Sequence, residues 1–144
     1  METLIEIMRK VLAETYAFQL KANYYHWNVE GPNFPQYHRF LGKLYEEVYA
    51  ATDAIAEEIR TLGAYAPGSF TRYMELSEIE CDTTIPTAID MIRRLAEDND
   101  KLLNTLNVAF KLANEFDKQG LADYIAGRID AHNKHGWMLK STSK

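Results

Sequence analysis

Cysteine occurs once in these 144 residues, at Cys81. A single thiol makes no intrachain disulfide, so the fold is expected to hold without covalent staples, and a reducing cytoplasm is the expected setting. Proline and glycine are sparse, at four and seven, which leaves room for long uninterrupted helices. No apolar run approaches the roughly 20 residues that span a bilayer. The opening METLIEIMRK has neither the apolar stretch nor the small-residue cleavage site of a secretion signal. A basic excess is missing as well, the formal net charge being −5. Arg9 and Lys10 are flanked by Glu2, Glu6 and Glu14, so the chain lacks the cationic arm that neutralises nucleic-acid phosphates. An acidic balance suits the handling of cations better than of phosphates.

What is present is a single domain over residues 1–144 with 47% hydrophobic residues, enough for one core. Four segments carry helical periodicity. The first runs from about residue 3 to 29 through Leu4, Met8, Val11, Leu12, Tyr16, Leu20, Tyr24 and Trp27, and stops at Gly31-Pro32. The second opens at Asn33, an N-cap residue, with Pro35 in its first turn, and ends at Gly63. The segment 64–82 is expected to be a long connection in which FTRYMEL, residues 70–76, can form a short helix. The third long helix is expected from about Thr84, with Pro86 near its first turn and an apolar face beginning at Ile85. Gly120 is expected to separate it from a fourth helix bearing Leu121, Ile125, Ile129, His132 and Trp137, and the tail STSK to fray. Four helices with one long linker between the second and third predict an all-α four-helix bundle of the ferritin-like, one-crossover kind.

A di-iron bundle of the ordinary ferritin kind projects Glu-x-x-His pairs inward. No glutamate here has a histidine three residues on, so that interior arrangement is excluded. The other ligand candidates are His26, His38, Asp53 and Glu57. Asp53 and Glu57 are four apart and share a helix face, and imidazole with carboxylate suits iron. His38 precedes Asp53 by fifteen residues on the same helix. At 1.5 Å per residue they are separated by about 22 Å, so His38 and Asp53 of one chain cannot grip one ion. Two readings stay open. Either the histidines and acids are unrelated, the acids forming a solvated helix face. Or two copies of the helix pack antiparallel about a two-fold axis, setting His38 of one against Asp53 and Glu57 of the other, with two identical sites per dimer.

The local sequence bears on that choice. HWNVEGPNFPQYH (26–38) followed by DAIAEEIRTLG (53–63) resembles the signature of the Dps family, the DNA-binding proteins from starved cells. In that family a His-Trp pair ends the first helix, a second His follows twelve residues after the first, and an Asp-x-x-x-Glu pair begins fifteen residues later; all three spacings hold here. DYIAGRIDAHNKHGWMLKS (123–141) looks like the family's last helix, so the resemblance covers nearly the whole chain. It implies a hollow dodecamer built from two-fold dimers. Its ferroxidase sites would take His26 and His38 from one subunit and Asp53 and Glu57 from the partner. Ferrous iron would be oxidised there, preferably by hydrogen peroxide, and stored as ferric mineral, which limits oxidative damage.

One departure matters. Where the family usually has an acidic residue four after the second His, this chain has Gly42. The expected consequence is a weakened second iron position, for which Glu46 and Glu58 are possible substitutes, and a close approach of something to the backbone at Gly42. Glu58 itself stands where the family often has Arg. Trp27 is either a core residue or, as the resemblance implies, an acceptor of oxidising equivalents beside the iron pair. Glu115, Asp117 and Asp123 flank the last turn, where the family's acidic pore residues lie; Asp117 and Asp123 are the pore candidates and a plain surface loop is the alternative. His132 and His135, three apart, are read as helix-end residues favoured by the dipole. Two other functions compete with iron oxidation: DNA compaction, expected to be weak or absent at physiological salt, and a shell protein with a degraded metal site.

Overall fold

The computed structural model describes residues 1–144, with five helices and no strands: α1 Glu2–Asn28, α2 Phe34–Thr61, α3 Phe70–Leu76, α4 Ala88–Glu115 and α5 Gln119–Thr142. The four long helices form the bundle. α1 packs against α2, α4 and α3, and α4 against α5. The apolar stripes converge on one core that includes Met8, Phe18, Tyr25, Leu41, Ile55 and Leu102, all at 2% exposure or less. None of the helices is long and apolar enough to cross a membrane.

The ends follow local chemistry. Asn33 is the N-cap of α2 and Pro35 lies in its first turn, where a missing N–H costs nothing. Gly63 follows the C-cap Leu62 at φ +85°, a left-handed conformation that glycine adopts without penalty. Ser69 caps α3 by accepting from the Arg72 amide at 3.2 Å, and Thr87 caps α4 by accepting from the Asp90 amide at 3.3 Å. Such caps contribute about 1 kcal/mol each.

Three sequence expectations shift at these ends. α4 starts at Ala88 rather than near Thr84. Pro86 restricts Ile85 to extended backbone, and the true cap, Thr87, comes after the proline. Ile85 therefore lies outside the helix and is 55% exposed. Gly120 does not separate α4 from α5 but sits in the first turn of α5; the break is made by Asp117, at φ +55°. Ser141 and Thr142 remain helical.

The crossover between α2 and α4 is fastened to α1. Buried Glu14 accepts hydrogen bonds from the Thr105 hydroxyl and, at 3.3 Å, from the Glu78 amide. Burial pushes the Glu14 carboxyl up, and these bonds offset part of the rise. The Tyr24 hydroxyl donates to the Thr84 carbonyl at 2.6 Å. Asp82 accepts from Tyr25, Thr84 and Arg94. Burial works to raise the Asp82 carboxyl, but these donors outweigh it and hold it below the usual range. The carboxyl-terminal end of α1, where His26 and Trp27 stand, is thereby tied to the crossover.

Candidate metal centre

α1 and α2 form an antiparallel hairpin through a short turn, so His26, in the last turn of α1, meets His38, near the start of α2. The two residues grip each other. Nδ1 of His26 lies 2.6 Å from the His38 carbonyl oxygen, and Nδ1 of His38 lies 2.8 Å from the His26 carbonyl oxygen. A carbonyl only accepts, so each Nδ1 carries the hydrogen and each Nε2 keeps its lone pair for a ligand. The rings are stacked with centroids 3.9 Å apart and 12° between planes. Phe34 stacks on His38 at 5.0 Å and Tyr45 leans on His26 at 5.4 Å. The sequence reads Tyr45 as an interface or core aromatic and does not single out Phe34, although Phe34 sits four residues before His38 and Tyr45 seven after it, positions that share its side of α2.

Gly42 is the floor of this pair. It is buried, and a Cβ there would stand 2.9 Å from Cε1 and 3.1 Å from Nδ1 of His26. The close approach expected at this glycine is therefore made by the His26 imidazole.

Asp53 and Glu57 lie one turn apart on α2, both exposed. Asp53 raises the Glu57 carboxyl, first by hydrogen bonding to it and then by its charge. Neither acid has a cation within ion-pair distance in its own chain. α2 runs unbroken from Phe34 to Thr61, so the axial distance between His38 and the acids stands. No group of three or more His, Cys, Asp or Glu residues in one chain is placed to hold an ion. The structure thus joins His26 to His38 and Asp53 to Glu57, and keeps the two pairs apart. Trp27, beside the imidazoles in sequence, is 64% exposed, which rules out core packing within the chain.

A different network joins α2, α4 and α5, buried at Asn99 and His132 and reaching the surface at Glu47. Arg128 donates to both oxygens of Glu47, at 2.7 and 3.1 Å, and His135 Nε2 lies 2.7 Å from the same carboxylate. These contacts, His135 first, hold the Glu47 carboxyl well below its usual range against the opposing effect of burial. His132 is 1% exposed. Its Nδ1 bonds Asn99 Oδ1 at 2.8 Å and its Nε2 faces an Arg128 nitrogen at 3.2 Å. Burial, and then the Arg128 charge, hold the His132 pKa down at about 3. The two histidines of α5 are therefore network residues joining α2, α4 and α5, not helix-end residues placed by the dipole. The available signal was polar: Asn99 and His132 occupy positions on apolar stripes, at helical spacing from Leu95 and Leu102 and from Ile125 and Leu139.

Glu115, Asp117 and Asp123 are exposed around the α4–α5 turn, as both the pore and the plain-loop readings require.

This geometry has close parallels. The sequence profile of the ferritin-like domain matches residues 5–144. A low temperature-induced protein of Nostoc sp. is 34% identical over 139 residues, covering 95% of this chain and 78% of the relative. The solved structure of antigen TpF1 from Treponema pallidum superposes with a TM-score of 0.95 at 30% identity, covering 99% of this chain and 92% of that one. The Dps protein from Vibrio cholerae, described as a member of a broad superfamily of ferritin-like diiron-carboxylate proteins, superposes with a TM-score of 0.95 at 26% identity, covering 99% and 90%. A four-helix bundle with one fastened crossover, a His-Trp pair closing α1 and full-length likeness to these structures place the chain in the Dps family of ferritin-like proteins.

Proposed function

We propose that this protein oxidises ferrous iron at a site closed only by two subunits, His26 and His38 coming from one and Asp53 and Glu57 from the other, and stores the ferric product. One observation carries the reading. Both imidazoles have Nδ1 committed to a carbonyl and Nε2 free, yet no acid of their own chain can reach the same ion. Membership of a family of diiron-carboxylate type supports iron as the metal, and here iron is substrate and cargo.

The stacking narrows the chemistry. Imidazole lone pairs lie in the ring plane, and two nearly parallel rings 3.9 Å apart do not converge on one ion at the usual ligand distance of about 2 Å. They would serve two ions rather than one, as in two-metal centres. Two ferrous ions supply the two electrons that reduce one hydrogen peroxide, with two protons, to two waters, so peroxide is the matched oxidant and no hydroxyl radical is released. With Gly42 in place of an acid, the second ion has fewer ligands and binds more weakly. Exposed Trp27 then stands ready to give up an electron when only one ferrous ion is bound. The shell is a hollow dodecamer of two-fold dimers, with Asp117 and Asp123 at the iron pores. DNA contact is weak or absent, given a net charge of −5.

The deciding experiment mixes two inactive variants. His38→Ala and Asp53→Ala are each expected to slow peroxide-driven ferric absorbance at least tenfold. Unfolded together and reassembled in equal amounts, they regain about a quarter of wild-type sites, because a site needs its imidazoles from one variant and its acids from the other. Mixtures no better than the separate variants would refute a shared site.

A further inference from the structure

α2 leaves one face uncovered by its own chain, and the charges on that face are sorted along the helix. Towards its amino-terminal end α2 exposes Arg39 and Lys43, and towards its carboxyl-terminal end Asp53 and Glu57; exposed Arg60, beyond them, is taken up by the Ala64 carbonyl at 3.1 Å and the Tyr65 ring, and Glu46 is exposed near the helix midpoint. Arg39, Lys43, Asp53 and Glu57 have no ion-pair partner in their own chain. A helix positive at one end of a face and negative at the other is complementary to an antiparallel copy of itself, whereas a parallel copy would set like charge against like.

The register follows from the shared site, on which this inference rests. With His38 opposite the midpoint between the partner's Asp53 and the partner's Glu57, facing residue numbers add to about 93. Arg39 then faces a point between those acids, displaced along the axis by about 1.5 Å from the first and about 4.5 Å from the second. The bearing agrees as well. Arg39 and Glu57 are eighteen residues apart, five full turns, so they lie on one line of α2. In an antiparallel two-fold pair each flank faces the same flank of its partner, and a guanidinium on its three-carbon stem spans the remaining distance.

We propose that Arg39 is the counter-ion of the iron site: in the metal-free dimer its guanidinium bridges the partner's Asp53 and the partner's Glu57, and incoming ferrous iron displaces it. Two adjacent carboxylates without a cation repel each other, and this contact keeps the vacant site assembled. The planar fork of arginine matches a pair of carboxylates. Only an ion that also gains an imidazole ligand exchanges with it readily, which favours divalent transition metals over monovalent cations and calcium.

Cobalt(II), which is not oxidised under these conditions, is the probe. In metal-free protein Arg39→Gln is expected to weaken dimer association about fivefold, measured by sedimentation at low salt, and to tighten cobalt binding by a similar factor. In an Asp53→Asn/Glu57→Gln background the same substitution should leave association unchanged. Arg39→Lys should fall between. Arg39→Gln without effect on either quantity, or with equal effect in both backgrounds, would overturn the proposal. Recovery of activity on mixing His38→Ala with Asp53→Ala tests the shared site separately: if mixing succeeds while the Arg39 cycle shows no coupling, only the counter-ion role fails.

Discussion

The imidazole of His26 rests on the Cα of Gly42, so close that a Cβ at 42 would stand 2.9 Å from its Cε1. This explains why a buried mid-helix position of α2 carries a residue that ordinarily destabilises a helix by about 1 kcal/mol relative to alanine. The space is needed by a ring pinned through Nδ1 to the His38 carbonyl, so it cannot swing aside without breaking that bond.

Gly42→Ala should therefore behave unlike a helix glycine. The propensity gain of about 1 kcal/mol is offset by loss of the His26–His38 hydrogen bond, itself about 1 kcal/mol, and thermal stability stays nearly level. Iron oxidation should drop several-fold as the His26 Nε2 moves. Gly42→Asp restores the acid the family usually has, but the same clash displaces His26, so the second iron site is not recovered by this change alone. Stopped-flow ferric absorbance beside calorimetric melting separates the two effects; a variant more stable and equally fast would show that His26 does not need the space.

Asp117 makes a cleaner stability test. It is the one non-glycine residue with positive φ, at +55°, and it turns the chain between α4 and α5. Aspartate tolerates this region better than most residues, yet glycine enters it without steric cost. Asp117→Gly is expected to stabilise by about 0.5 kcal/mol and Asp117→Ala to destabilise by about 1 kcal/mol. Denaturant melts of metal-free protein at one fixed concentration measure both. If Asp117 lines an iron pore, the two variants lose iron uptake rate alike despite their opposite stabilities.

These same residues separate what local chemistry encodes from what only packing decides. Periodicity and caps located four long helices and the short one, because each stripe is regular and Asn33 and Gly63 are strong local signals. The start of α4 is less legible, because Pro86 has the look of a first-turn proline while the cap, Thr87, follows it. The 1.5 Å rise separated His38 from Asp53 without coordinates, since distance along a continuous helix is fixed. The reciprocal grip of His26 and His38 was not legible: it depends on how α1 and α2 close their hairpin, and no spacing rule encodes which ring nitrogen meets which carbonyl. The fate of His132 was hidden for a related reason. Its partners Asn99 and Arg128 come from two helices, and only the packed bundle brings them to one point.

That buried histidine sets the last expectation. The folded protein keeps His132 neutral down to about pH 3, while the unfolded chain protonates it from about pH 6.5. Below that pH the unfolded state binds more protons at this residue, so stability falls as pH falls, by up to about 1.4 kcal/mol per pH unit, until the folded imidazole titrates. Glu14 and Asp98 oppose the trend, because burial raises their carboxyls and acidification through those raised values favours the folded state. Glu47 and Asp82, held low, add to the loss only once the unfolded carboxylates protonate, near pH 4. Between pH 6.5 and 5 the loss should therefore come from His132. Guanidinium melts of metal-free protein at fixed concentration should show this decline, and His132→Gln, though less stable at pH 7, should show a flatter one. The direct check is the wild-type imidazole itself: by NMR with labelled histidine, its resonance should not move between pH 7 and 5. A resonance titrating in that range would mean that the Asn99–His132–Arg128 network does not keep the proton out.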